Sequence, residues 1–93
     1  MNIKTNEFNP VDMLQNDDEI NAYLLACYED DDPATFVTAL GYLAKAHGMA
    51  ETAKASGLNR ESLYKTFNGK TQPRWDTIHR LLKVLNVRFT VVA

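Results

Sequence analysis

The stretch GLNRESLYKTF, residues 57–67, gathers the side chains of this sequence best suited to meeting a charged partner. Arg60, Glu61, Tyr64 and Lys65 fall within two turns of a short predicted helix over 60–67. Leu63 and Phe67, four apart, share its inward face, which leaves those four and Asn68 pointing outward. An arginine fork pairs with guanine O6 and N7, and a carboxylate accepts from cytosine N4. Each good two-pronged pair of this kind is worth roughly 1–3 kcal/mol of base discrimination. Lys65, one turn deeper, has the length to reach a base or a phosphate. The hydroxyls of Ser62 and Tyr64 suit phosphate oxygens. Asn68, Lys70 and Thr71, in the loop after the helix, are suited to gripping a nucleic-acid backbone and setting register. Glu61 repels phosphate and is a poor choice for indiscriminate binding, so a reading role is favoured over a generic basic patch.

The other reactive residues form no comparable group. His47 and His79 are far apart and have no cysteine or carboxylate at metal-ligand spacing. The Gly-Lys-Thr of NGKT lacks the glycine a phosphate loop requires five residues before Gly69, where Tyr64 stands. No arrangement of Ser, His and Asp, or of Cys and His, suggests a nucleophile. The expectation is a protein that is not an enzyme, with no cofactor and no metal. Trp75 reads as a core anchor at a helix start rather than a base-stacking residue. Tyr23, Tyr28 and Tyr42 fit a protein interface and partial burial with a wet hydroxyl equally well. The single Cys27 permits no internal disulfide and suits a reduced, cytoplasmic protein. No apolar run is long enough to span a membrane, and the N-terminus lacks a basic-then-apolar signal pattern.

These side chains need elements to hold them. Apolar spacing predicts helices over 18–29, 33–47, 50–56, 60–67 and 75–85. Ile20, Leu24, Cys27 and Tyr28 form the first stripe. Phe36, Val37, Leu40, Leu43 and Ala44 form the second. Trp75, Ile78, Leu81, Leu82 and Leu85 form the last. Asp32 and Pro33 read as cap and first residue of the second helix, and Gly48 ends it. The acidic run EDDD before Pro33 fits a helix start, a partner-binding patch, or both. Between the third and fourth helices, Gly57 suits a tight turn, Leu58 plugs the angle, and Asn59 caps the next helix by accepting from an N–H near Ser62. That is the sequence form of a helix-turn-helix. Residues 10–14 add a helical turn. VRFTVVA, residues 87–93, reads as a short strand that pairs with residues 3–8, with a second subunit or with a partner.

The charge is divided. Residues 1–53 hold ten acids and two bases, net −8, whereas residues 54–93 hold eight bases and two acids, net +6. Such a split points to nucleic acid for one half and another partner for the other. A chain of 93 residues fits one domain with a thin core, which makes a homodimer a natural expectation.

Residues 49–87, MAETAKASGLNRESLYKTFNGKTQPRWDTIHRLLKVLNV, resemble the lambda-repressor/Cro-like helix-turn-helix proteins. With INAYLLACYEDDDPATFVTALGYLAKAHGM upstream, about residues 17–90 resemble the addiction-module antidote family, antitoxins encoded beside a RelE/ParE-like killer protein. The resemblance implies an all-α fold: a five-helix lambda-repressor-like helix-turn-helix domain with a short β element from the termini. Within it, residues 1–32 would be an extension and helix, 33–86 the DNA-binding core, and 87–93 the strand. It further implies a type II antitoxin that binds and neutralises its basic toxin and represses its own operon, reading bases with Arg60, Glu61 and Lys65. The alternatives are a stand-alone phage-type regulator and an interaction module that no longer grips DNA. Three positions depart from the pattern: Ala50 where a Ser or Thr cap is common, Thr52 where an aliphatic residue is usual, and Arg74 where the last helix would take an Asn, Asp or Ser cap.

Overall fold

The five apolar-periodic segments become five α-helices. A computed structural model describes residues 9–88. The helices are α1 (Asp17–Tyr28), α2 (Pro33–His47), α3 (Met49–Ser56), α4 (Arg60–Phe67) and α5 (Trp75–Val84), preceded by a 3-10 turn over Pro10–Met13. Local chemistry sets most of the ends. Asn16 Oδ1 accepts from Glu19 N, and Glu19 Oε1 reaches back to Gln15 N. Asp32 Oδ1 accepts from Ala34 N with Pro33 at the first helical position. Both put acids at the positive end of a helix.

α2 is the central element, packing against the 3-10 turn, α1, α3 and α4. On one side Leu24 of α1, Ala39 and Leu40 of α2, and Ile78 and Leu82 of α5 form an apolar cluster. On the other, Ala44, Met49, Ala53, Leu63 and Leu81 join α2, α3, α4 and α5. Phe67 contacts both. Its ring lies over Gly41, where an added Cβ would stand 2.9 Å from Phe67 Cγ. α4 therefore approaches α2 closely because position 41 has no side chain.

Several expectations are corrected. α3 begins at Met49 rather than Ala50, so the cap position belongs to Gly48, with no side-chain cap bond. Thr52 is fully buried, but its hydroxyl donates to Gly48 O at 2.8 Å, so the polar group is satisfied. α5 ends at Val84, not Leu85. Arg74 precedes it without a side-chain cap, as its sequence position implied. Trp75 is 68% exposed rather than a core anchor, and Tyr28 is 62% exposed. Both continue an apolar stripe past the point where another described element covers it.

Among the described residues there is no strand. Asn86 turns left-handed and Val87 N donates to Leu82 O at 2.9 Å, so the backbone after α5 closes the helix end instead of a ladder. The remainder of the expected strand, residues 89–93, and its possible mate, residues 3–8, lie outside the described residues.

Candidate nucleic-acid interface

α3 and α4 are joined by a tight turn of three residues, 57–59. Gly57 is left-handed (φ 77°), and the N–H groups of both Gly57 and Leu58 donate to Ala53 O at 3.1 Å. A side chain at position 57 would be strained, which explains the glycine. Leu58 is half-buried against the second apolar cluster. Asn59 then caps α4, its Oδ1 accepting from Ser62 N at 2.7 Å. Leu63 is fully buried and Thr66 is buried with its hydroxyl donating to Ser62 O at 2.9 Å. One face of α4 is thus pinned to the core.

The opposite face carries the residues singled out from sequence. Arg60, Glu61, Tyr64, Lys65 and Asn68 are all exposed, and Ser62 is half-buried. Arg60 Nη2 lies 3.4 Å from Tyr64 Oη, a long contact that lays the guanidinium along the helix. Neither Arg60 nor Lys65 forms an ion pair among the described residues. In the following loop Asn68 Oδ1 accepts from Lys70 N at 2.8 Å, so one end of that amide shapes the loop while Lys70 and Thr71 remain exposed. The same loop lines a cavity of about 510 Å³ with Asp32 and Pro33. The geometry brings together a cationic helix tip and a polar loop.

Residues 4–93 match the family described as probable addiction module antidote protein. The chain belongs to this family. It is 33% identical over 85 residues to an uncharacterized protein of Haemophilus influenzae, a match covering 91% of this chain and 88% of that one. No solved structure gives a significant match. Membership in an antidote family supports a toxin–antitoxin role and a toxin as partner. Among the described residues no helix of the antidote is long and apolar enough to cross a membrane, and no cluster of His, Cys, Asp and Glu could hold a metal.

Sequence reasoning missed some residues that support the α3–α4 pair. Arg80 of α5 donates from Nη1 to Ser56 O at 3.4 Å and pairs through Nε with Asp76 at 3.4 Å, fastening the end of α3. Its spacing of four from Asp76 was the available signal. Gly41 was another: a glycine inside a helix with no turn to make marks a close approach. Asn9 bridges the 3-10 turn to α2, accepting from Val11 N and donating to Tyr42 O, both at 3.0 Å. On α1, burial first, then the neighbouring Cys27 and Tyr42, push the Tyr23 hydroxyl up to about 12.

Proposed function

We propose that this antidote is the antitoxin of a type II module: it binds and neutralises a basic RelE/ParE-like toxin and represses its own operon. In this reading α3 and α4 act as a lambda-repressor/Cro-like helix-turn-helix within a DNA-binding core of residues 33–86. The observation that carries it is the exposed tip of α4, Arg60 with Glu61 and Lys65, on a helix propped by fully buried Leu63 and capped by Asn59. Arg60, Glu61 and Lys65 read base edges. Ser62, Tyr64, Asn68, Lys70 and Thr71 hold the backbone. A homodimer would set two such helices about 34 Å apart, so the operator is a near-palindrome. The protein acts in the cytoplasm and performs no catalysis.

The test is binding to the DNA upstream of its own gene across a salt series. Phosphate contact makes affinity fall steeply as salt rises. Arg60→Ala and Lys65→Ala should each weaken operator binding roughly tenfold to a hundredfold, the equivalent of one lost base pairing. Unchanged binding overturns the base-reading assignment. A second reading, in which the helix pair serves protein contact alone, draws on Asp32. Its carboxylate lines the same cavity as Lys70 and Thr71 and lowers the potential where phosphate would sit. A flat salt dependence favours that reading.

A further inference from the structure

An apolar groove of about 820 Å³ runs between the end of α1, the start of α2 and the start of α5. Leu25, Tyr28 and Trp75 line it and are 50%, 62% and 68% exposed, while Phe36 also lines it with its ring nearly perpendicular to that of Tyr28. Exposed aromatics gathered on one patch, rimmed by charge, mark a protein contact rather than ordinary surface. The charged residues that line it are of one sign. Asp30 and Asp31 line the groove, and Glu29 and Asp32 adjoin them in sequence. Asp32 alone caps α2, and Asp30 accepts from Asp32 N. Among the described residues neither Glu29 nor Asp31 makes a side-chain hydrogen bond or ion pair, so this run carries more negative charge than capping requires. None of the proposed DNA-contacting residues lines the groove.

We infer that this groove is where the toxin docks. It would receive a toxin segment that offers apolar side chains flanked by Lys or Arg. This rests on the antitoxin reading above. Charge complementarity selects the occupant. A duplex would be repelled by the acids. A second copy of this chain would bring a like-charged rim against the first. A basic protein satisfies both the apolar floor and the acidic edge, and opposite charge steers its approach.

The experiment measures binding of the basic protein encoded beside this chain to the full-length antidote. Wild type is compared with Trp75→Ser, Tyr28→Ser, Asp31→Lys and Arg60→Ala, each checked by thermal melting. Trp75 and Asp31 are exposed, so their variants should melt close to wild type, whereas Tyr28→Ser also loses the ring contact with Phe36 and should melt somewhat lower. The expected result is at least a tenfold loss of toxin affinity for Trp75→Ser and Tyr28→Ser, and a loss for Asp31→Lys that fades as salt rises. Arg60→Ala should bind the toxin as wild type does. If wild type binds and all variants bind equally, the groove assignment is overturned while the antitoxin reading stands. If wild type does not bind, the antitoxin reading falls and the inference with it. If the groove variants leave toxin affinity intact but break a dimer in light scattering, the groove belongs to a second copy and the inference is overturned.

Discussion

Replacing Gly41 by alanine tests whether α4 sits where it does because α2 offers no side chain beneath it. Alanine is the better helix former by roughly 0.8–1.0 kcal/mol, so in open space the change stabilises by that amount. The site is not open. The new methyl would meet Phe67 at 2.9 Å from Cγ, 3.0 Å from Cβ and 3.2 Å from Cδ1. Cβ is fixed to the α4 backbone. Cγ moves only with a change of rotamer, which the packing of Phe67 against both apolar clusters resists. Overpacking a dense core costs about 1–3 kcal/mol. Taking the middle of that range against the propensity gain leaves a net destabilisation of about 1 kcal/mol. For a domain of this size that lowers the melting temperature by about 4–8 °C. Circular dichroism melts and urea titrations read it directly. In a Phe67→Ala background the Cγ and Cδ1 contacts are gone while the Cβ contact at 3.0 Å stays, so the same substitution should cost less without becoming free. A higher melting temperature for Gly41→Ala in the otherwise intact chain refutes the close-contact argument.

Asn59→Ala removes the α4 cap at 2.7 Å and should cost about 1 kcal/mol in urea unfolding. A cost near zero would mean that the turn, not the cap, starts the helix. Leu63→Ala empties a fully buried position and should destabilise by about 2–5 kcal/mol. A smaller loss would show that α4 is not anchored through this side chain. Tyr23 is raised to about 12 by burial and by Cys27 and Tyr42, so the folded state favours its protonated form. Its stabilising contribution is complete below the ordinary tyrosine value of 10 and is lost as pH rises from there through 12. The difference in phenolate absorbance between wild type and Tyr23→Phe should therefore rise late, and a midpoint at 10 would contradict the packing around that hydroxyl.

What the sequence made legible was what local chemistry controls. The bounds of α2 and α4 followed from Asp32–Pro33 and from Asn59, residues whose side chains or rings act on their own neighbours. The orientation of α4 followed too, because Leu63 and Phe67 repeat at helical spacing and only one face can be buried. Contacts between distant residues were not legible. Periodicity assigns Trp75 and Tyr28 to an apolar stripe, but it does not say whether another element covers that end of the stripe. Thr52 stood out as a departure because its type was compared with aliphatic residues; its bond to Gly48 O depends on α3 starting at Met49, which the spacing left one residue late. The meeting of Gly41 and Phe67 joins two helices across the fold, and a glycine inside a helix does not name the partner that approaches it. The candidate site was legible as an exposed cationic tip, because side-chain type and outward position are local properties.

The division of charge along the chain becomes a division in space because α2 lies at its centre. The acids of residues 29–32 precede α2, and most of the bases follow α3. The start of α2 lines the acidic groove, while Gly41 takes Phe67 of α4. Pro33 and Gly41 are eight residues apart, which at the rise of an α-helix is about 12 Å. That exceeds the roughly 8 Å over which exposed charges are felt at physiological salt. A carboxylate at the start of α2 is thus largely screened from a charge placed where α4 crosses, and one small chain can present faces of opposite sign. The exception is the loop after α4, where Asp32 shares a cavity with Lys70 and Thr71. There the acid is partly offset by its own position, because as the cap of α2 it sits against the positive end of that helix. The α4 tip carries an acid of its own, Glu61, beside Arg60 and Lys65, so it is cationic by a single charge, which suits selective contact rather than indiscriminate attraction.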